Sequence, residues 1–303
     1  MPVTLPQLSR REFLKRAALA GTAALWGPSV LAELAAKPRD PDTFFFLSDP
    51  HIAASALQES HGMNMTDHLA TVVREAMAWP VAPAGVIVSG DLAFRLGLAG
   101  DYAAFGKLIE PLRALAPVHL LLGNHDQREN FWQAFPLDAT KADSVPQKQV
   151  AFFASARANW FLLDSLYITA TTGGRLGAEQ LAWLTREIEA RPNQPAIVVC
   201  HHHLDRLGRV GGLKDTPALV ELLAGQRQVK AFIYGHTHDW HVSQHEKGVQ
   251  LVNLPPTSYV FIEGRPSGWV RATLTDSGAE FEMRGIDRKH AEHAQVKKLP
   301  WRT

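Results

Sequence analysis

Cysteine is almost missing from this 303-residue chain, with Cys200 the single one. That excludes an internal disulfide and any structural zinc site built from several thiolates. No uninterrupted apolar run reaches the roughly eighteen residues that a membrane-spanning helix requires. Internal repeats and low-complexity linkers are absent too, so one domain is expected rather than an array. Net charge is small, formally +1, but unevenly placed. The first 32 residues hold Arg10, Arg11, Lys15 and Arg16 against Glu12, a net +3 that leaves −2 for the remainder. A slightly acidic body gives no electrostatic reason to expect nucleic acid as a partner.

The basic start has a recognisable layout. Ser9-Arg10-Arg11-Glu12-Phe13-Leu14-Lys15-Arg16 precedes a modestly apolar run, Ala17 to Ala32, interrupted by Gly21, Gly27 and Pro28. Basic residues, an apolar middle and small residues at a cleavage point make a secretory signal. The paired arginines followed by Phe-Leu-Lys resemble a twin-arginine export signal. Residues 1–32 are therefore expected to be a signal peptide, cut after Val30-Leu31-Ala32 in preference to Leu34-Ala35-Ala36. The twin-arginine export machinery would be a partner, and the mature protein periplasmic or secreted, with no stable membrane anchor. A short uncleaved anchor or a surface helix is the competing reading.

Beyond the signal, apolar runs alternate with helical patterns. Strands are expected at Thr43–Ser48, Gly85–Ser89, Val118–Leu122, Gln149–Ala154, Trp160–Leu163, Ala196–Cys200 and Val229–Tyr234. Helices are expected at Met65–Trp79, Tyr102–Leu115 and Ala178–Ala190, each with apolar residues in helical register, and also at Gln127–Phe135 and from Thr216-Pro217 onward. Thr216 reads as a capping hydroxyl before a proline at the first helical position. Further β-rich runs continue to about residue 286, and Asp287–Thr303 reads as a polar, basic tail of loose order. The fold class is α/β (α+β), with one domain over residues 40–286 made of packed sheets flanked by helices.

Histidine is plentiful, with 14 in the chain. Seven sit in four short clusters: His51, His125, His201-His202-His203, and His236 with His238. Each cluster follows an expected strand, as does Asp91. Asp49-Pro50-His51 comes after the first strand, Gly90-Asp91 after the second, and Gly123-Asn124-His125-Asp126 after the third. The three histidines and Gly235-His236-Thr237-His238 follow two later strands. In open α/β sheets a ligand site lies beyond the carboxyl ends of the strands, so these clusters should converge. Carboxylate, imidazole and amide donors suit Zn, Mn or Fe. Two such ions, about 3.5–4 Å apart, can clamp the attacking and leaving oxygens of a phosphoryl displacement.

The ordered series Asp-x-His, Gly-Asp, Gly-Asn-His-Asp, His-His and Gly-His-x-His resembles the calcineurin-like metallophosphoesterase family, over residues 44–238. Leu163-Asp164-Ser165 and the stretch Gly177-Ala178-Glu179-Gln180-Leu181-Ala182-Trp183-Leu184 are similar to its bacterial cyclic-nucleotide and glycerophosphodiesterase branch. The resemblance implies a four-layer αββα sandwich and two divalent or mixed-valence transition metal ions. Asp49, His51, Asp91 and His238 would hold one ion. Asp91, Asn124, His201 and His236 would hold the second, with Asp91 as the bridge. A hydroxide between the metals would attack phosphorus, and His125 would assist departure of the alcohol. His202 would lie behind the ligands, and Asp126 would orient a histidine or start the next helix.

Two positions depart from the family pattern. His203 stands where proline usually follows the paired histidines, so the choice of ligand among His201, His202 and His203 rests on His201 coming first after its strand. Phe94 occupies the position where purple acid phosphatases carry a tyrosine ligand, which argues against a ferric-tyrosinate centre. Tyr259 and Asn64 are weaker substrate-contact candidates; His61 receives no role.

Taken singly, an Asp or His in a loop is usually solvated or caps a helix, and Cys200 at a strand end behaves as a small hydrophobe. The ordered set favours a metal-dependent phosphoester hydrolase, preferring small phosphodiesters. A phosphomonoesterase is the nearest alternative. An exported protein that binds metal or phosphate without turnover is the alternative of a different class.

Overall fold

The structure, a computed structural model, describes residues 4–9, 11–13, 15, 37–136, 145–205 and 211–303. Strand β1 (Thr4–Leu5) is followed in the described chain by β2 (Thr43–Leu47), buried throughout. A strand covered on both faces carries apolar residues on both. Phe44 and Phe46 enter one core, and Phe45 and Leu47 another. A hairpin, β3 (Glu59–Ser60) and β4 (Met63–Asn64), runs directly into helix α1 (Met65–Ala78). Asn64 caps that helix by accepting from the Asp67 N–H at 3.0 Å. Met65, Leu69, Val72, Val73, Ala76 and Met77 are its buried face, in the register the sequence implies.

Strand β5 (Gly85–Val88) leads to α2 (Ala99–Ile109), α3 (Leu112–Leu115) and β6 (Val118–Leu120). One helix was expected over Tyr102–Leu115. Pro111 divides it, because proline has no N–H to continue the helical ladder. Helix α4 (Arg128–Ala134), strands β7 (Ala151–Ala154) and β8 (Asn159–Leu162), and helix α5 (Ala178–Glu189) come next. Then follow β9 (Ala196–Val199), α6 (Thr216–Gly225) and β10 (Val229–Tyr234). Thr216 does not cap α6. Its hydroxyl donates to the Leu213 carbonyl at 2.6 Å, while the Asp215 carboxylate serves the N–H groups of Leu176 and Gly177. The chain closes with β11 (His241–Gln244), β12 (Gln250–Asn253), β13 (Gly268–Leu274), β14 (Gly278–Gly285) and β15 (Val296–Pro300).

These strands form two large sheets, ordered β1-β6-β5-β2-β13-β14-β15 and β11-β12-β10-β9-β8-β7. Between them lies a core that includes Phe44, Phe46, Trp160, Ile197, Ile233, Val270 and Phe281. Helices α1 and α2 cover the outer face of the first sheet, with Leu69, Val73, Phe105 and Ile109 against Phe45 and Val88. Helices α5 and α6 cover the second, with Trp183, Leu184, Leu219 and Leu223 packed around Phe161, Val198 and Phe232. The expected αββα order of layers is therefore present. β2, β5 and β6 are mutually parallel, as are β8, β9, β10 and β12, so within each sheet their carboxyl ends share one edge.

Both chain ends take part in the fold. β1 pairs antiparallel with β6 through Thr4↔His119, and Leu8 and Phe13 are buried on the first sheet's helical side. Most of the expected signal peptide, with both cleavage points, lies outside the described residues. The loose tail expected over Asp287–Thr303 is corrected: β15 pairs with β14 along five residues and buries Leu299 between the sheets. Arg302 then donates to the carbonyls of Val229 and Leu223 at 2.9 and 2.7 Å, on the second sheet's side of the molecule. Among the described residues no helix is long and apolar enough to cross a membrane.

Candidate metal centre

The loops leaving β2, β5, β6, β9 and β10 bring the expected site residues together. The backbone is unusual there. Asp49, His51, Asp91, His236 and His238 have φ of 50°, 49°, 52°, 68° and 52°. The left-handed region is uncommon for residues with a side chain, and such conformations gather at functional sites because surrounding contacts hold them. Two glycines permit the close approach. A Cβ at Gly123 would overlap Asp91 Oδ1, and one at Gly235 would overlap Ser48 Oγ and crowd Asp49 Oδ2.

Among the described residues, three donor groups lie with their ligand atoms within 4.8 Å of one another: Asp49, His51 and His238; His51, Asp91 and His125; Asp91, His201 and His236. Asp91 is common to two of them. Asn124 is buried on the same edge, and its Oδ1 has no hydrogen-bond partner.

Tautomers follow from the carbonyls behind the rings, since a carbonyl only accepts. His51 Nδ1 donates to Phe94 O at 3.2 Å, His238 Nδ1 to Tyr259 O at 2.6 Å, and His201 Nδ1 to Ser89 O at 3.0 Å. In the neutral rings each Nε2 is then a lone pair turned into the site. The Nε2 atoms of His51 and His238 face each other at 3.0 Å. Two lone pairs at that distance repel unless a proton or a cation stands between them. His201 Nε2 makes no hydrogen bond, with Asp91 Oδ2 at 3.3 Å and Asp49 Oδ1 at 3.9 Å. Buried nitrogen and oxygen acceptors without donors are what a divalent cation satisfies, and the donor set fits one.

The electrostatics agree. Asp49 and Asp91 are held well below the usual carboxylate range. Burial, the largest single influence, opposes this, but it is outweighed by the histidines together: His201 and His238 at Asp49, His201 and His51 at Asp91. His201 is pushed up to about 9, because Asp91 and Asp49 together overcome burial, so at neutral pH its Nε2 carries a proton unless a cation takes that place. Burial pushes His51 down to about 4 and His236 to about 3. Burial also holds His202 well below its ordinary value, aided by His236 and His201.

Supporting contacts fix the donors. Ser89 Oγ donates to Ser48 Oγ at 2.7 Å, and Ser48 donates to Asp49 Oδ2. The His236 N–H reaches Asp49 Oδ2 at 3.1 Å. His125 donates its backbone N–H to Asp91 Oδ1 at 2.8 Å, and its Nδ1 bonds Arg95 O at 3.0 Å. Its ring, half-buried, stands 5.1 Å from that of His51. His202 lies behind His201 with Nδ1 2.7 Å from Ser165 Oγ, and His203 stacks on His236 at 5.7 Å. Phe94 offers only its carbonyl.

Asp126 behaves otherwise than expected. Among the described residues it makes no hydrogen bond to a histidine, and the cap of α4 is the Gln127 side chain, accepting from Asn130 N–H. Instead it accepts the N–H groups of Gly123, Leu92 and Ala93 at 2.8, 3.2 and 3.1 Å, joining the loops that carry Asp91 and Asn124. Burial, with the charge of Asp91, pushes Asp126 up to about 7. Ser48 and Ser89 were missed as site residues; each precedes a site aspartate by one or two positions, which was the available signal. The Leu163–Leu184 motif is architectural. Asp164 takes a two-pronged pair from Arg128 at 2.8 and 2.9 Å, while Gln180 bonds both backbone groups of Asp164 at 2.8 Å.

An Asp, His and Asn donor set gathered at the strand ends of an αββα sandwich defines a metal-dependent phosphoester hydrolase. The chain belongs to the Calcineurin-like phosphoesterase family, whose profile matches residues 43–240. It is a hydrolase acting on phosphoric esters, with divalent metal as its cofactor. It is 26% identical over 246 residues to the 3′,5′-cyclic adenosine monophosphate phosphodiesterase CpdA of Vibrio vulnificus, covering 77% of this chain and 85% of that protein. It is 30% identical over 206 residues to a probable cyclic nucleotide phosphodiesterase of Rhodopseudomonas palustris, covering 64% and 71%. Among solved structures, a dimetal phosphatase from Danio rerio superposes with a TM-score of 0.69 at 15% identity, covering 87% of this chain and all 100% of that one. That likeness shows the fold alone.

Proposed function

We propose that the chain is a dinuclear-metal phosphodiesterase acting on small phosphodiesters of the cyclic-nucleotide class. The observation that carries this is the arrangement around Asp91, whose carboxylate borders two donor groups at once. Asp49, His51, Asp91 and His238 would hold one ion, and Asp91, Asn124, His201 and His236 the other. His201, not His202 or His203, is the ligand in this reading, because its Nε2 alone of the three lies beside both carboxylates. The relatives named as cyclic nucleotide phosphodiesterases support the diester preference.

When bound, such ions neutralise phosphoryl oxygens and make a water nucleophilic near neutral pH. The chain's own residues do the rest. The carbonyls of Phe94, Tyr259 and Ser89 fix the tautomers that present Nε2 lone pairs. Ser48 and the His236 N–H orient Asp49. His125, with Nδ1 engaged by Arg95 O, keeps Nε2 to hold a proton for the departing alkoxide.

Asp91→Asn should lower bound metal and reduce turnover of bis(p-nitrophenyl) phosphate by about a thousandfold or more. Unchanged turnover would refute the site. Relative turnover of bis-aryl and mono-aryl phosphates tests the diester preference. We propose further that residues 1–32 are a twin-arginine signal removed on export to the periplasm or beyond, a cut that would take β1 and the buried Leu8 and Phe13 with it and leave β6 as the sheet edge. Mass spectrometry of the exported fraction should find an N-terminus near Glu33; an intact Met1 there would reject the export reading.

A further inference from the structure

Two stacks of rings lead outward from the proposed metal ligands. Tyr259 lies on His51, with centroids 5.3 Å apart and planes at 25°, and His61 lies on Tyr259 at 4.4 Å and 19°. Beside it, Phe261 lies on His238 at 4.3 Å and 23°. The outer rings, His61 and Phe261, meet edge-on at 5.7 Å and 71°, making a corner. Tyr259 is buried, but His61 is exposed and Phe261 is 58% exposed despite its contact with His238. One face of the Phe261 ring is therefore open at the border of the metal centre.

The corner is built rather than incidental. His61 and Gly62 are the two central residues of the β3–β4 turn, both at positive φ, 51° and 73°. A two-residue hairpin turn of this kind favours Asn-Gly, and histidine adopts it here at a steric cost. What that conformation achieves is the placement of an imidazole on Tyr259. The hairpin is anchored where Asn64 caps α1, and the Tyr259 backbone carbonyl receives His238 Nδ1. The Tyr259–Phe261 wall is thus tied to the metal centre, and the hairpin wall to helix α1.

We propose that His61, Tyr259 and Phe261 form a stacking corner that binds a planar aromatic group, of the nucleobase class, attached to the phosphate held at the metal centre. This rests on the phosphodiesterase reading and adds the part of the substrate recognised away from phosphorus. Rings recognise rings through dispersion and quadrupole contacts that a bare sugar cannot make. Stacking on Phe261 with the edge at His61 would orient the leaving group without touching the reacting atoms, which makes these specificity residues.

The test is binding of adenosine 5′-monophosphate and of ribose 5-phosphate to the metal-loaded protein, measured by isothermal titration. Wild type should bind the nucleotide about tenfold tighter. Phe261→Leu and His61→Ala should each remove most of that preference while ribose 5-phosphate affinity and metal content hold, and Phe261→Tyr should keep it. No preference in wild type, no binding of either ligand, or equal losses for both ligands in the variants would overturn the corner. If the preference and its loss are found but no phosphodiester is hydrolysed, the proposed function fails and the corner stands. If diesters are hydrolysed without the preference, the corner fails and the function stands.

Discussion

Ser89 donates to Ser48, and Ser48 to Asp49, so the carboxylate is gripped from behind while its other oxygen faces the histidines. Removing that grip frees the carboxylate to rotate. Ser48→Ala is expected to weaken metal affinity about 10–100-fold, the usual cost of losing a group that orients a ligand. Competition against a chelating indicator measures it, and wild-type affinity in the variant would count against the role. At this scale the sequence was most informative about the donors, because Asp49, Asp91, Asn124, His201 and the His236–His238 pair each close an apolar run. The serines were not legible, since a small polar residue at a strand end is commonplace. His61 was not legible either; its meaning comes from Tyr259, which lies 198 positions away in sequence, and from its positive-φ place in the turn.

Strands with buried faces on both sides were readable; of the edge strands, the apolar β7 was readable, and the polar β15 and the two-residue β1 were not. β2 and β10 announce themselves as apolar runs. β15 reads Val-Lys-Lys-Leu-Pro, with only Leu299 buried, which is the polar and lysine-bearing composition of a protected edge strand. Strand β1, at the opposite edge of the unprocessed chain, has an energetic signature of its own. It covers β6, where His119 stacks on Phe153 at 4.0 Å and pairs with Thr4 Oγ1 at 3.0 Å. Burial lowers His119 from 6.5 to about 4. Between those values the unfolded chain binds more protons than the folded one, so stability falls as pH drops through the window. The loss should total about 3 kcal/mol. Urea midpoints at pH 7 and pH 4 should shift less in His119→Gln than in wild type; identical shifts would remove His119 from the account of acid sensitivity.

Over the whole molecule, the layer order was legible because helical and strand patterns alternate, but the closure of the sandwich was not. β13 lies antiparallel beside β2, with Val270 opposite Phe46, a pairing set by the inter-sheet core and not by any local signal. That closure faces Asp49 and Asp91 across to His201, His236 and His238, one sheet supplying the carboxylates and the other most of the imidazoles. A buried site with two carboxylates and opposed lone pairs should stabilise the fold when a cation fills it. With free metal a thousandfold above its Kd, the gain is about 4 kcal/mol. Chelation should therefore lower Tm, and Asp91→Asn should abolish most of that difference; a Tm indifferent to chelation would contradict it. The most direct test is to titrate metal into chelated protein while following hydrolysis of bis(p-nitrophenyl) phosphate. The chelated chain should be silent, with turnover rising to a plateau at two ions per chain. Full turnover in excess chelator, or a plateau unchanged by Asp91→Asn, would contradict a metal-dependent diesterase centred on Asp91.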